Sequence, residues 1–286
     1  MANIRIIRRR IRSVQSTAKV TRAMEMIAAS KMRQAQERGL AGRPYEEKIR
    51  EVLAGLAAQP QQEGEPLHPL LERRPVKAIS IVHITADRGL CGGLNGNVNR
   101  KTVGFILEQT ATVSLVTIGR KGRDFMRRFN QEIRAEFTNL GDRPGILDTN
   151  PIARCVIEDY ISGAADRVYV AYPQFATTVT QTPVLEQILP IEPATLPPGQ
   201  NVEYIFEPDP GFVLSELLPR FVEMEIYHAV LEAIASEQSA RMVAMRNATD
   251  NAQEVVEDLT LVYNKARQEM ITTELLDMTG AAAALT

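Results

Sequence analysis

The sequence has little of what secreted, metal-binding and membrane-spanning proteins usually contain. Its 286 residues include two cysteines, three histidines and no tryptophan. The cysteines form no CxxC pair and have no close histidine, so neither a disulfide framework nor a zinc site is indicated, and a reducing compartment fits best. No run of 18 apolar residues occurs, and the basic N-terminus has no signal-peptide core. We therefore expect a chain that neither spans a membrane nor is exported.

Glycine and proline are absent from one long stretch, residues 220–279. Because nothing there forces a helix to stop, the stretch predicts one helix of roughly 90 Å. Apolar and small residues recur at alternating steps of four and three, which is the seam of a coiled coil and requires a partner helix. An amphipathic helix in an ordinary bundle is the alternative, although such helices rarely exceed about 25 residues. The predicted seam consists of Tyr227, Leu231, Ile234, Gln238, Arg241, Met245, Ala248, Ala252, Val255, Leu259, Val262 and Ala266.

A second heptad pattern opens the chain and predicts a helix to about residue 36. Gly39, Gly42 and Pro44 predict a break or kink there, followed by a last helical piece over residues 45–58. Residues 1–38 carry a net charge of +8 and residues 220–279 a net charge of −6. Opposite charges favour antiparallel pairing of the two terminal helices. The seam of the first helix is predicted at Ile4, Ile7, Ile11, Val14 and Ala18, continuing through Met24, Ile27, Ala28 and Met32.

Between the two helices the sequence predicts a linker and a compact domain. The Pro-, Gln- and Glu-rich residues 59–75 are typical of a linker, and Ile- and Val-rich runs then alternate with helical patterns. Such alternation predicts a largely parallel, Rossmann-like sheet, so the expected fold class is α/β with a long antiparallel coiled coil. The expected division is residues 1–58, 59–75, 76–209 and 210–286. Strands are predicted at residues 78–85, 113–118, 134–139, 167–171, 181–190 and 202–206, and helices ending near 109, at 123–129, and from Pro151 to 161.

The glycine-rich turn after the first predicted strand is the one motif that suggests a ligand. Gly89, Gly92, Gly93 and Gly96 give G-x-x-G-G-x-x-G, which matches neither the dinucleotide fingerprint GxGxxG nor the P-loop. We expect these glycines to permit close helix-to-sheet packing rather than nucleotide binding. The three histidines are scattered, and no catalytic motif occurs, so we expect no catalytic residue, no cofactor and no metal. Nucleic acid is disfavoured because the basic helix has no interleaved aromatic residues.

Four separated segments resemble the gamma subunit of F-type ATP synthase. They are IRSVQSTAKVTRAMEMIAASKMRQAQ (residues 11–36), DRGLCGGLNGNV (87–98), EYIFEPDP (203–210), and LEAIASEQSARMVAMRNATDNA (231–252) followed by LVYNKARQEMITTEL (261–275). The segments occur in the family's order, and the match covers nearly the whole chain. That agreement is far more specific than any single motif.

The resemblance implies a rotor without an active site of its own. In that family the terminal helices form a central stalk inside a ring of alternating alpha and beta subunits, and its foot contacts the epsilon subunit and the membrane-embedded c-ring. Rotation then couples proton flow to ATP synthesis, at the cytoplasmic face of the bacterial plasma membrane. The positions that match ring contacts are Met24, Arg267, Gln268 and Thr272. Two other hypotheses are a free-standing coiled-coil scaffold and a nucleotide-dependent enzyme built on the middle domain.

Overall fold

A computed structural model describes residues 4–57, 68–191, 207 and 209–284. The chain divides into two compact units: Met1–Ala28 with Met242–Thr286, and Ala29–Arg241. The predicted strand at residues 202–206 and the first part of the predicted linker lie outside the described residues. The helices are α1 (Ile4–Ala57), α2 (Leu94–Glu108), α3 (Arg120–Arg128), α4 (Ile146–Ile161) and α5 (Pro210–Ala284), and the strands are β1 (Ala78–Ile84), β2 (Thr112–Ile118), β3 (Glu132–Phe137), β4 (Arg167–Phe175) and β5 (Gln181–Leu189).

The second unit contains one five-stranded sheet in the order β3-β2-β1-β4-β5. Strands β1 to β4 pair in parallel and β5 pairs antiparallel with β4, which confirms the predicted mainly parallel sheet. Alternating side chains face opposite ways along a strand. Val82 and Ile84 therefore belong to the core shared with α4 and α5, whereas Ile79 and Ile81 belong to the core shared with α2 and α3.

One predicted element boundary in this unit is wrong. Helix α4 begins at Ile146, not at Pro151, because Gly145 precedes it and the Asp148 carboxylate accepts the Gly145 N–H at 2.7 Å. Within the predicted linker, the short 3-10 helix Pro69–Leu71 buries Leu70 completely. The segment around Leu70 is thus part of the core.

Helix α1 continues through Pro44, so of the predicted break or kink the break is wrong. Proline removes the hydrogen bond to the carbonyl of Leu40, but Leu40 is on an exposed turn where water can reach that carbonyl. Apolar side chains are buried on both sides of the proline, Met32 before it and Ile49 and Leu53 after it. This burial stabilises the continuous helix and compensates for the hydrogen bond that is missing at Pro44.

The first unit is an antiparallel coil of α1 residues 4–28 and α5 residues 242–284. As residue numbers increase along α1, the residues that they contact on α5 decrease in number. Arg8 contacts Tyr263, Thr21 contacts Thr249, and Glu25 contacts Arg246. The hydroxyls of Thr21 and Thr249 are 2.7 Å apart, and the Glu25 carboxylate lies 2.9 Å from the Arg246 guanidinium. The predicted antiparallel pairing is therefore confirmed.

The seam of α5 differs from the prediction in one of its two heptad positions. Met245, Ala252 and Leu259 face α1 as predicted, but Val255 and Val262 are 41% and 50% exposed. The residues that face α1 instead lie one position later, at Thr249, Val256 and Tyr263. The prediction preferred valine to threonine and tyrosine, whereas the coil uses their hydroxyls in contacts with α1. On α1, Ile7 and Ala28 are buried, but Ile27 is 54% exposed and not in the seam.

Candidate functional site

The carboxyl edge of the sheet is where open α/β folds bind ligands, and here it is crossed by hydrogen bonds between loops. Asp87 follows β1, and its two carboxylate oxygens accept the N–H groups of Arg120, at 3.1 Å, and Asn139, at 2.9 Å. Asn95 accepts the N–H of Ala86 at 3.0 Å. The Asp87 and Asn95 side chains of the glycine-rich turn thus bind the protein's own backbone.

The glycines of this turn have a different role from the predicted one. Gly92 has φ +59, a left-handed conformation that favours glycine, while a Cβ at Gly96 would meet nothing within 4 Å. The glycines that permit close packing follow β2. A Cβ at Gly119 would lie 2.0 Å from the Thr85 carbonyl oxygen, and one at Gly122 would lie 2.6 Å from the His83 ring. Without contacts, the sequence cannot distinguish these two uses.

Helix α5 fills the crevice beyond the strand ends. Val230, Ala233, Ile234 and Glu237 of α5 line the space together with residues that follow β1, β2 and β3, and only about 50 Å³ remains open. Ligand pockets in proteins are typically about 300–1,000 Å³. As lined by the described residues, this crevice is too small for a nucleotide.

A larger cleft of about 430 Å³ lies beside β4 and β5. Polar groups that line this cleft bind one another. The Arg50 guanidinium lies 2.7 Å from the Glu225 carboxylate, and the Tyr172 hydroxyl donates to the Glu186 carboxylate at 3.0 Å. Burial, with the nearby carboxylates, raises the pKa of Tyr172 above its usual value. Tyr172 therefore stays a neutral donor and is not a base.

The three histidines are not brought together. His83 is fully buried, with Nε2 2.9 Å from Asn99 Oδ1 and Nδ1 3.1 Å from the Thr102 hydroxyl. Burial lowers the pKa of His83 to about 4, so the ring is neutral at physiological pH. His68 caps the 3-10 helix by accepting the Leu70 N–H, and His228 lines the cleft beside β4.

The four positions taken from the family resemblance fall into two groups. Met24 is half-buried on α1, one turn from the Thr21–Thr249 contact. Arg267 lies eighteen residues beyond Thr249 on α5, about 27 Å along the helix. Gln268 and Thr272 are also exposed, and the Thr272 hydroxyl donates to the Gln268 carbonyl at 2.9 Å, so these two share a face. The structure brings the α5 positions together but not Met24.

The coil also exposes apolar side chains. The sequence analysis did not identify them as a possible interaction surface. Between residues 261 and 276 of α5, five large apolar side chains outside the predicted seam have 43–70% of their surface exposed. Exposed apolar surface is a feature of interaction sites. Their signal in the sequence is that apolar residues occur outside the heptad seam. They are Leu261, Met270, Ile271, Leu275 and Leu276.

The described residues form an α/β domain whose carboxyl-edge crevice is filled by α5, and an antiparallel coil that exposes apolar side chains. Comparison with known proteins identifies the family. The ATP synthase family model matches residues 3–285. An ATP synthase gamma chain of Dehalococcoides mccartyi is 70% identical over 285 residues and covers 100% of both chains. One from Roseiflexus castenholzii is 51% identical and covers 100% of this chain and 99% of its own.

Two solved structures have the same fold. A chain of the Euglena gracilis mitochondrial ATP synthase, in a structure of its OSCP, F1 and c-ring, matches with TM-score 0.68 and 20% identity, covering 99% of this chain and 94% of its own. A chain of the Tetrahymena thermophila central stalk and c-ring matches with TM-score 0.61 and 23% identity, covering 80% of this chain and 99% of its own. This chain belongs to the ATP synthase gamma-chain family.

Proposed function

We propose that the chain is the central-stalk rotor of a bacterial ATP synthase, which couples rotation of a c-ring to ATP synthesis in a ring of alpha and beta subunits. The observation that carries the proposal is the full-length relationship to gamma chains, joined to an antiparallel coil of the two chain ends. The division into residues 1–58, 59–75, 76–209 and 210–286 belongs to this proposal.

The chemistry of the coil supports a role in transmitting force. Helix α5 continues for 75 residues. Arg8 with Tyr263, Thr21 with Thr249, and Glu25 with Arg246 bind it to α1. Directional contacts of this kind resist sliding of one helix along the other, which apolar contacts alone do little to prevent. A shaft under torque requires this property.

The subunit itself is proposed to be non-catalytic, with no cofactor. Support comes from the crevice at the carboxyl edge, where α5 occupies the place in which related folds bind nucleotides. The catalytic sites would then belong to the alpha and beta subunits. Saturable binding of ATP to the isolated full-length chain at micromolar concentration would contradict this part of the proposal.

The proposed partners are the alpha and beta subunits around the coil, and the epsilon subunit and c-ring at the foot. The chain would therefore be a peripheral component at the cytoplasmic face of the bacterial plasma membrane. Among the described residues, no helix is long and apolar enough to cross a membrane. Association through other subunits fits that observation.

Met24, Arg267, Gln268 and Thr272 are the proposed contacts with the moving loops of the ring. Arg267, Gln268 and Thr272 are exposed beside the apolar residues of the coil, where a partner can reach them. The free-standing scaffold is the weaker hypothesis, because it would use the seam for a second copy of the chain. In the structure, α1 of the same chain packs against the seam of α5.

Two neighbouring threonines give a matched test of these contacts. The hydroxyls of Thr272 and Thr273 both donate to the carbonyl four residues earlier, at 2.9 and 2.8 Å, so Thr→Val costs the same within the helix. Only the direction in which each side chain faces differs. In the reconstituted complex, we expect Thr272→Val to lower the ATP hydrolysis rate about fivefold, the loss of roughly one hydrogen bond, and Thr273→Val to leave it near normal. Equal rates in both variants would contradict the assignment of Thr272.

A further inference from the structure

One turn of α5 holds two loops at the carboxyl edge of the sheet. Ser239 donates to the carbonyl of Thr178, in the turn between β4 and β5, at 2.7 Å. Arg241 donates to the carbonyl of Gly89, in the glycine-rich turn, at 3.3 Å, and to the Glu237 carboxylate at 2.6 Å. Both loops are therefore bound to α5 within five residues.

The pair formed by Glu237 and Arg241 is shielded from water. Their side chains are 18% and 11% exposed. Burial raises the pKa of Glu237, and the guanidinium opposes that rise. An acidic residue four positions before a basic one is the favourable order on a helix. The carboxylate thus holds the guanidinium in a fixed orientation, with its N–H directed at the backbone of the turn.

Apart from this pair, side chains of the turn itself bind nearby backbone. Asp87 and Asn95 bind neighbouring backbone, and Cys91 is 2% exposed. Leu90, by contrast, is 62% exposed and has φ +66, an unfavourable conformation for a branched side chain. Such strain persists only when the surroundings enforce it, and it occurs most often at functional sites.

We propose that Glu237 and Arg241 form a clamp that fixes the glycine-rich turn to α5, so that the turn and the helix move as one body. Arg241 is then a positioning residue for the rotor. This mechanical consequence rests on the proposed function. The clamp itself is a property of the chain and can be tested without it.

The first test measures the accessibility of Cys91 in the full-length chain, with Cys155→Ser to leave one thiol. Glu237→Leu/Arg241→Met replaces the pair with apolar side chains of similar size, a change that usually preserves stability. We expect N-ethylmaleimide to modify Cys91 at least about tenfold faster in this variant, because the turn opens more often. The control is Arg127→Met, which removes the exposed ion pair between Arg127 of α3 and Glu136 of β3 and should leave Cys91 protected.

The second test measures protons pumped per ATP hydrolysed by the reconstituted complex. We expect the ratio to fall in Glu237→Leu/Arg241→Met and to stay normal in Arg127→Met. Unchanged Cys91 protection in the folded double variant would overturn the clamp. Faster modification with a normal pumping ratio would overturn its mechanical role. Absence of pumping with the unmodified chain would instead overturn the proposed function, whatever the reactivity of Cys91.

Discussion

At the scale of single residues, His83 makes stability depend on pH. Its pKa is about 4 in the folded chain and about 6.5 when unfolded, so the unfolded state binds the proton first as pH falls. Stability should be lost between pH 6.5 and 4, with no further loss from this group below pH 4. We expect about 2 kcal/mol less unfolding free energy at pH 5 than at pH 7 from His83 alone.

Urea unfolding of the unmodified chain and of His83→Gln at both pH values isolates this effect. Every other titratable group is shared by the two proteins, so the difference in pH dependence belongs to His83. Glutamine can still bind Asn99 and Thr102, but it does not titrate. The same pH dependence in both proteins would mean that the pKa of His83 is not lowered in the folded chain.

Two glycines are predicted to respond oppositely to alanine. In Gly122→Ala the new methyl would lie 2.6 Å from the His83 ring and 2.7 Å from the Thr85 hydroxyl, and we expect a loss of about 1–3 kcal/mol. A methyl group added at Gly104, inside α2, would meet nothing within 4 Å, so Gly104→Ala should stabilise by roughly 0.5–1 kcal/mol through helix propensity. Thermal or urea unfolding of both variants measures this. Destabilisation by Gly104→Ala would contradict the packing around α2.

At the scale of elements, two adjacent valines test the seam of α5. Val256 is 8% exposed and faces α1, while Val255 is 41% exposed. Val256→Ala should cost about 1.5 kcal/mol of unfolding free energy, from two buried methyl groups. Val255→Ala should change it by less than about 0.5 kcal/mol. The reverse order would restore the seam predicted from the sequence.

The elements were largely predictable, because their patterns are strong and local. Ile- and Val-rich runs identified the five strands now described, and a stretch without Gly or Pro identified α5. The errors occurred where packing overrides local signals. Burial on both sides of Pro44 keeps α1 continuous, and the bond between Asp148 and Gly145 starts α4 before Pro151. Periodicity alone could not distinguish Val255 from Val256, since both fit a seam with steps of three and four.

A helix-breaking substitution and a truncation distinguish a helix that transmits force from one that only packs against its neighbours. Ala252 is buried in the seam, and Ala252→Pro should cost about 3 kcal/mol or more and kink α5. Deleting residues 280–286 removes no charged side chain and should leave assembly and most ATP hydrolysis intact. ATP-driven proton pumping by the reconstituted complex should be lost in the first variant and retained in the second. Near-normal pumping in both would remove the mechanical basis of a rotor.

At the scale of the whole molecule, the candidate site was only partly predictable. The sequence identified exposed positions on α5 by resemblance, but not the contact between Thr21 and Thr249 or the pair formed by Glu237 and Arg241. Contacts between distant parts of a chain have no local periodicity. Their detection needs the fold, because residues 228 positions apart meet across the coil.

The most direct test of the central claim is to observe rotation in single complexes. The alpha and beta ring is immobilised, and a probe is attached through Lys101→Cys on the exposed surface of α2, with Cys155→Ser and the buried Cys91 retained. We predict that ATP drives continuous rotation of the probe in one direction. Hydrolysis of ATP by assembled complexes whose probes stay still would contradict the account.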